Sequence, residues 1–227
     1  MRVLEPEMMD DPGLAPSMHA DALRGLARLN SVSRAARAVY RQIKPIAARA
    51  GGSVRLVDVA AGSADVTVGV CRAARRDGLD WGATACDVSD LALGQARSRA
   101  LDAGVELDTV RLDAIEDSLP AGDVMICSLF LHHLSEADAT RVLASMKASA
   151  RLGVVVSDLR RCGFGTMLAR VAPRVMTRSP VVHVDAVRSA RAAFDLAELH
   201  AMADDAGLAG AQVRPAWPAR MMLRWLR

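Results

Sequence analysis

VRLVDVAAGSADV, residues 54–66, decides the fold: an apolar, β-branched run ends in a turn of small residues, and a helix-like stretch follows from Asp65 to about Arg76. The same grammar then repeats. TACDV (84–88) reads as a second strand, TVRLDA (109–114) as a third, DVMICSLFL (123–131) as a fourth and VVVSD (154–158) as a fifth. Helical patterns separate them: LALGQARSRALDA, capped by Asp90 and stopped by Gly104, and a segment opened by Ser135 and Asp138 that runs to about Arg151. Near-continuous Val/Ile/Leu strands alternating with amphipathic helices predict a parallel sheet covered on both faces, a Rossmann-like doubly wound α/β fold.

The flanks depart from this alternation. Residues 160–178 read as a helix interrupted by Pro173, SPVVHVDAV (179–187) as irregular, and Asp195 with Glu198 as the cap of a helix ending at Gly207. Two short β-like runs around Trp217-Pro218 predict a terminal hairpin. Upstream, Met18, Leu23, Leu26 and Leu29 share one helical face, and Val32, Ala36, Val39, Ile43 and Ala47 repeat at helical spacing in a second helix. The basic stripe Arg34, Arg37, Arg41 and Lys44 lies opposite that second apolar face and reads as solvated. Gly51-Gly52 marks a boundary, which divides the chain into an N-terminal helical lid (1–50) and a core (51–227) with a substrate cap at 160–194.

Composition narrows the function. Of 227 residues, 52% are hydrophobic and 24% charged, which excludes disorder. A net charge of +3 does not announce a nucleic-acid partner, and three Trp, one Tyr and three Phe leave few platforms for stacking bases. No apolar run approaches the ~18 residues of a membrane span, and the acidic start MRVLEPEMMDDPG lacks a signal peptide's apolar region. The expected location is the cytoplasm. The cysteines at 71, 86, 127 and 162 are scattered, with no metal-ligand spacing, and read as buried thiols.

In such a sheet, ligands sit outside the carboxyl ends of the strands. The first turn, Asp58 to Asp65, carries one glycine where a dinucleotide fingerprint wants three, and carboxylates flank it. Like charges ~4 Å apart repel by several kcal/mol near a protein surface, so this rim disfavours a pyrophosphate and suits an ammonium or sulfonium. S-adenosylmethionine carries both. Asp87, ending the second strand, suits the hydroxyls of a ribose, and Asp113-Ala114, ending the third, an adenine amino group.

Taken together, 54–66, ATACDVSDLALGQAR and the stretch from VRLDAIEDSLPAGD through VVVSDLRR resemble the class I S-adenosylmethionine-dependent methyltransferases. The resemblance covers 54–161 and implies a seven-stranded sheet with an antiparallel last strand. It implies that Asp58 and the Gly62 turn hold the methionine moiety, and that Ser128 and Leu129 lie beside it. The cofactor-binding set is then Asp58, Ala60, Gly62, Asp65, Asp87, Val88, Asp113, Ala114, Ser128 and Leu129. Ala60 and Ala64 stand where that family commonly has glycine; alanine at 60 is accommodated if its φ stays negative, whereas Ala64 bears on cofactor affinity. The flanks, including DLRRCGFG and VVHVDAVRSARAAF, are similar to small bacterial methyltransferases of secondary metabolism. Some of these O-methylate phenolic, quinone-like or polyketide products.

The expected partner is therefore a small-molecule acceptor, with a homodimer as the assembly to look for. Removing a proton from a phenol near pH 7 calls for a base. His132 and His133, just past the fourth strand, are candidates; so is His183, which Asp185 would orient. Asp158 has no clear companions for a metal, so none is expected. The alternative reading is a cofactor-binding but catalytically silent or repurposed protein that supports a partner enzyme.

Overall fold

The computed structural model describes residues 2–11 and 13–227. Its centre is one seven-stranded sheet: β1 (Arg55–Val59), β2 (Gly82–Asp87), β3 (Leu107–Arg111), β4 (Gly122–Ser128), β5 (Ala150–Leu159), β6 (Gln212–Ala216) and β7 (Arg220–Leu226), in the order β3-β2-β1-β4-β5-β7-β6. The first five strands are parallel, β7 runs antiparallel to β5, and β6 pairs antiparallel with β7. Strand order reverses on either side of β1, which opens a crevice at the carboxyl ends of β1 and β4.

Alternation along each strand builds two cores. Val57, Val59, Met125, Cys127, Val154 and Val156 face α5 (Glu136–Ser149) and α8 (Leu196–Asp205). Leu56, Ala83, Ala85, Val124, Ile126 and Val155 face α2 (Ala35–Ala48), α3 (Asp65–Arg76) and α4 (Asp90–Ala103). Asp58 shares the parity of Leu56 and therefore points under α3. Gly153 is required where β5 meets β7, because a Cβ there would stand 2.4 Å from the Trp225 carbonyl oxygen.

Local chemistry sets the helix ends. Ser135 accepts from the Asp138 N–H, and Asp195 with Glu198 makes a complete capping box. For α4 the cap is Ser89, not Asp90, because Ser89 has extended backbone and accepts from the Ala92 N–H.

Two segments differ from the sequence reading. Residues expected to be irregular form α7 (Pro180–Ala192): Ser179 caps it, Pro180 occupies its first turn, and Val181, Val182, Asp185 and Ser189 face inward. The β-branched run hid that helical spacing. The expected 1–50 lid also divides. α1 (Pro16–Val32) packs against α7 and α6 (Gly163–Met176), whereas α2 lies on α3 and β5 as part of the sheet's covering layer. Its apolar face, Val39, Ile43, Ile46 and Ala47, is buried there. No helix among the described residues is long and apolar enough to cross a membrane.

Candidate active site

The turn from β1 into α3 is wound tightly. Ala60, Gly62 and Ala64 all have left-handed backbone, with φ of 54°, 54° and 51°. The expectation of a negative φ at Ala60 is thus corrected, and each alanine costs ~1–2 kcal/mol relative to right-handed backbone. Contacts with β2 hold the turn in place. The Ala61 N–H donates to the Cys86 carbonyl at 2.9 Å, and the Gly62 N–H donates to Asp87 Oδ2 at 2.8 Å. Asp87 Oδ1 accepts from the Ser89 N–H at 2.9 Å. The carboxylate is thereby fixed between two loops, with lone pairs left over on both oxygens.

Asp58 lies beneath this turn. Thr67 Oγ1 donates to its Oδ2, while Oδ1 is buried without a partner. Burial pushes its carboxyl up to about 7, and the nearby Asp65 and Asp87 push the same way against the Thr67 hydrogen bond. Asp113 is folded into its own turn, Oδ1 accepting from the Ile115 N–H at 2.8 Å. Leu129 has a φ of 57°, and its N–H donates to the Ser157 carbonyl at 2.9 Å.

These residues open into one cavity of ≈ 1190 Å³. It is lined by Asp58, Ala60, Gly62, Asp65, Asp87, Val88, Asp113, Ala114, Ser128 and Leu129, the whole set the sequence nominates for cofactor. The cavity continues into a chamber walled by α1, α6 and α7, where Leu23, Leu26, Leu168 and Met176 supply apolar surface. Met167 and Val171, also on α6, point outward and are exposed. At the rim Trp217 is 75% exposed, with its ring 5.9 Å from that of Phe164. Four buried side-chain atoms among the described residues lack a hydrogen-bond partner: Asp58 Oδ1, Ser128 Oγ, Arg160 Nε and Arg220 Nη1. All four residues line this cavity. An unpaired buried polar group costs ~1–3 kcal/mol, so their convergence marks a place prepared for a polar ligand.

The far wall carries the histidines, on a short 3-10 turn, Leu131–His133. His132 is buried, its Nδ1 2.6 Å from Asp158 Oδ1, and its backbone N–H donates to Oδ2 of the same carboxylate at 3.3 Å. Burial pushes the Asp158 carboxyl up, but the charge and hydrogen bond of His132 outweigh it and hold the group below its usual range. His133 Nδ1 lies 3.1 Å from Asp10 Oδ2. Burial lowers the His133 imidazole, yet the hydrogen bond and charge of Asp10, together with Glu7, carry it up to about 9.

Glu7 reaches the pair from an N-terminal strap. The strap is pinned to α7 where Asp185 accepts from the Met8 and Met9 N–H groups at 2.9 and 3.0 Å. His183 is placed elsewhere. Its Nε2 is 2.8 Å from the Thr177 carbonyl oxygen, it does not line the cavity, and Asp185 is engaged by the strap. The expected His183–Asp185 base pair is therefore corrected: two positions apart on one helix, these side chains point to nearly opposite sides and meet different neighbours. The imidazole–carboxylate pair that does form, His132 with Asp158, was not paired in the sequence reading. The available signal was that β4 and β5 are adjacent.

A methyltransferase-domain family model matches residues 56–153. A search of curated proteins with this sequence found no match. Among solved structures, a Nostoc punctiforme protein provisionally described as an O-methyltransferase superposes with a TM-score of 0.68 at 17% identity, covering 100% of this chain and 64% of that one. An O-methyltransferase of neocarzinostatin biosynthesis, solved with S-adenosylhomocysteine and 1,4-dihydroxy-2-naphthoic acid, gives 0.69 at 20% identity over 97% of this chain and 61% of that one. The magnesium protoporphyrin IX methyltransferase of Synechocystis, solved with S-adenosylhomocysteine, gives 0.61 at 13% identity over 96% and 91%. The chain thus spans less than two thirds of the first two proteins' length. At these identities the likeness establishes the fold.

Proposed function

We propose that this chain, a class I S-adenosylmethionine-dependent methyltransferase by its fold and its central domain, methylates a hydroxyl group on a small, largely apolar acceptor. The observation that carries the proposal is the convergence of the four unpaired buried polar atoms, Asp58 Oδ1 among them, on one cavity. Asp58 with Asp65 suits the cofactor's ammonium, Asp87 its ribose, and Asp113-Ala114 its adenine. Ser128 and Arg220 have free donors for a carboxylate. S-adenosylmethionine supplies an electrophilic methyl group on a sulfonium.

The protein's own part is alignment, exclusion of water and removal of a proton. α1, α6 and α7 serve as the lid over the acceptor chamber, and holding the reactants in line is worth several kcal/mol. Asp158 accepts the Nδ1–H of His132, which leaves the Nε2 lone pair facing the cavity as the base for the acceptor hydroxyl. His133 and Arg160 place positive charge where a phenolate would form. Phenolic, quinone-derived or polyketide acceptors match this apolar, aromatic-poor wall. The His132–Asp158 pair beside the cavity supports this reading over a silent or repurposed protein.

The test is incubation with isotopically labelled cofactor and a panel of phenols, hydroquinones and amines. Label on a phenolic oxygen with the mass of one added methylene is the expected result. Label confined to amines would overturn O-methylation, and a melting temperature that rises with NAD but not with S-adenosylhomocysteine would overturn the cofactor.

A further inference from the structure

The two adjacent histidines share a third neighbour. Glu7 Oε1 lies 3.8 Å from His132 Nε2, and Glu7 Oε2 lies 3.9 Å from His133 Nε2. One ligand atom from each of the three residues falls within 4.8 Å of the others. The imidazole rings are tilted side by side, 4.3 Å between centroids, so both Nε2 edges face the same carboxylate. Each ring turns its Nδ1 to a different carboxylate, Asp158 at 2.6 Å and Asp10 at 3.1 Å. A carboxylate behind the far nitrogen fixes the tautomer that leaves Nε2 free to coordinate, and metal-bound histidines are held this way. The strap adds a further hold, since Ser189 Oγ donates to Glu7.

We propose that Glu7, His132 and His133 form a binding site for one divalent transition-metal ion of the zinc type. Two imidazoles and one carboxylate suit Zn²⁺ or Co²⁺ and not Mg²⁺ or Ca²⁺, which want oxygen donors. Tetrahedral zinc, with bonds of ~2.0–2.1 Å, sets its ligand atoms roughly 3.3–3.5 Å apart, so the three ligand atoms, which lie within 4.8 Å of one another, need to draw in by up to about 1.5 Å. All three residues line the acceptor chamber. A lone pair on Nε2 that binds a metal cannot also take a proton. On the functional reading above, and only for this consequence, occupancy of the site holds methyl transfer off.

Tag-free full-length protein, stripped with a chelator, is titrated with Co²⁺ and followed through its visible d–d absorption. The expected result is saturation at one ion per chain, displacement by Zn²⁺ and indifference to Mg²⁺. The Glu7→Gln and His133→Asn variants lose the band, and Asp10→Asn binds about tenfold or more weakly, as loss of an orienting carboxylate does. Circular dichroism and S-adenosylhomocysteine binding report that each variant is folded. Absence of a saturable band, or a band unchanged in folded Glu7→Gln and His133→Asn, overturns the site. Methyl transfer is measured in parallel: Zn²⁺ that binds with unchanged turnover would count against His132 as the base while leaving the metal site standing.

Discussion

His132 and Asp158 form a buried pair, Nδ1 to Oδ1 at 2.6 Å, although 26 positions of sequence separate them. The register Ser128↔Ser157 explains the meeting, because β5 runs on past the end of β4 to Leu159 and the 3-10 turn after β4 folds back over Asp158. A carboxylate at Nδ1 fixes the orientation of the ring and selects the tautomer of its neutral form.

That pair separates two histidine roles. His132→Asn should lower turnover ~10²-fold or more while leaving the dissociation constant of S-adenosylhomocysteine nearly unchanged. His183→Ala should leave turnover intact and lower stability by about 1 kcal/mol, through loss of the hydrogen bond to Thr177. Steady-state kinetics, calorimetry and thermal melts read all of these. Equal kinetic losses in the two variants would refute the assignment.

Asp58 predicts a pH dependence whose sign can be worked out. Its folded carboxyl is raised from the ordinary 3.8 to about 7, so between those values the folded chain holds a proton that the unfolded chain releases. The ligand-free protein should therefore lose stability as pH rises from about 4 to about 7, by up to ~4 kcal/mol from this group. A bound ammonium reverses the preference, so affinity for S-adenosylhomocysteine should increase up to about pH 7 and then level off. Melts and calorimetry across that range check both trends, and Asp58→Asn should flatten them. A wild-type profile already flat would show the carboxyl ionised throughout.

Asp87 does two jobs: it ties the Gly62 turn to the loop before α4, and it presents lone pairs to the cavity. Asp87→Ala should weaken S-adenosylhomocysteine binding by about 1–3 kcal/mol. Unchanged calorimetric affinity would place the sugar elsewhere.

Ala60 pays a conformational cost that glycine would not. Ala60→Gly should stabilise the protein by about 0.5–1 kcal/mol, the relief of left-handed backbone less the added freedom of the unfolded chain. The expected rise in melting temperature is roughly 1–4 °C. A fall would mean that the alanine methyl packs against something the turn needs.

The sheet was legible because its signals are local and redundant. Every parallel strand except the polar edge strand β3 is a short, largely apolar run, and the turn after β1 has small residues between carboxylates. The residues that line the cavity at the strand ends followed from those ends together with the family resemblance. The chamber was less legible, because it is assembled from contacts distant in sequence. Glu7 meets His132 and His133 only because Asp185 pins the strap, and nothing in MRVLEPEMMDDPG announces that. The sequence links His183 to Asp185 by a spacing that suits an extended chain. On a helix the same spacing separates them.

The three tryptophans divide unevenly: Trp81, just before β2, and Trp225, on β7, are buried, while Trp217 stands in water at the chamber mouth. Excitation at the red edge of indole absorbance should therefore favour a lone native fluorophore at the entrance. Occupancy of the chamber becomes readable as a blue shift or quench of that emission, without dye or label, on the millisecond scale of a stopped-flow trace.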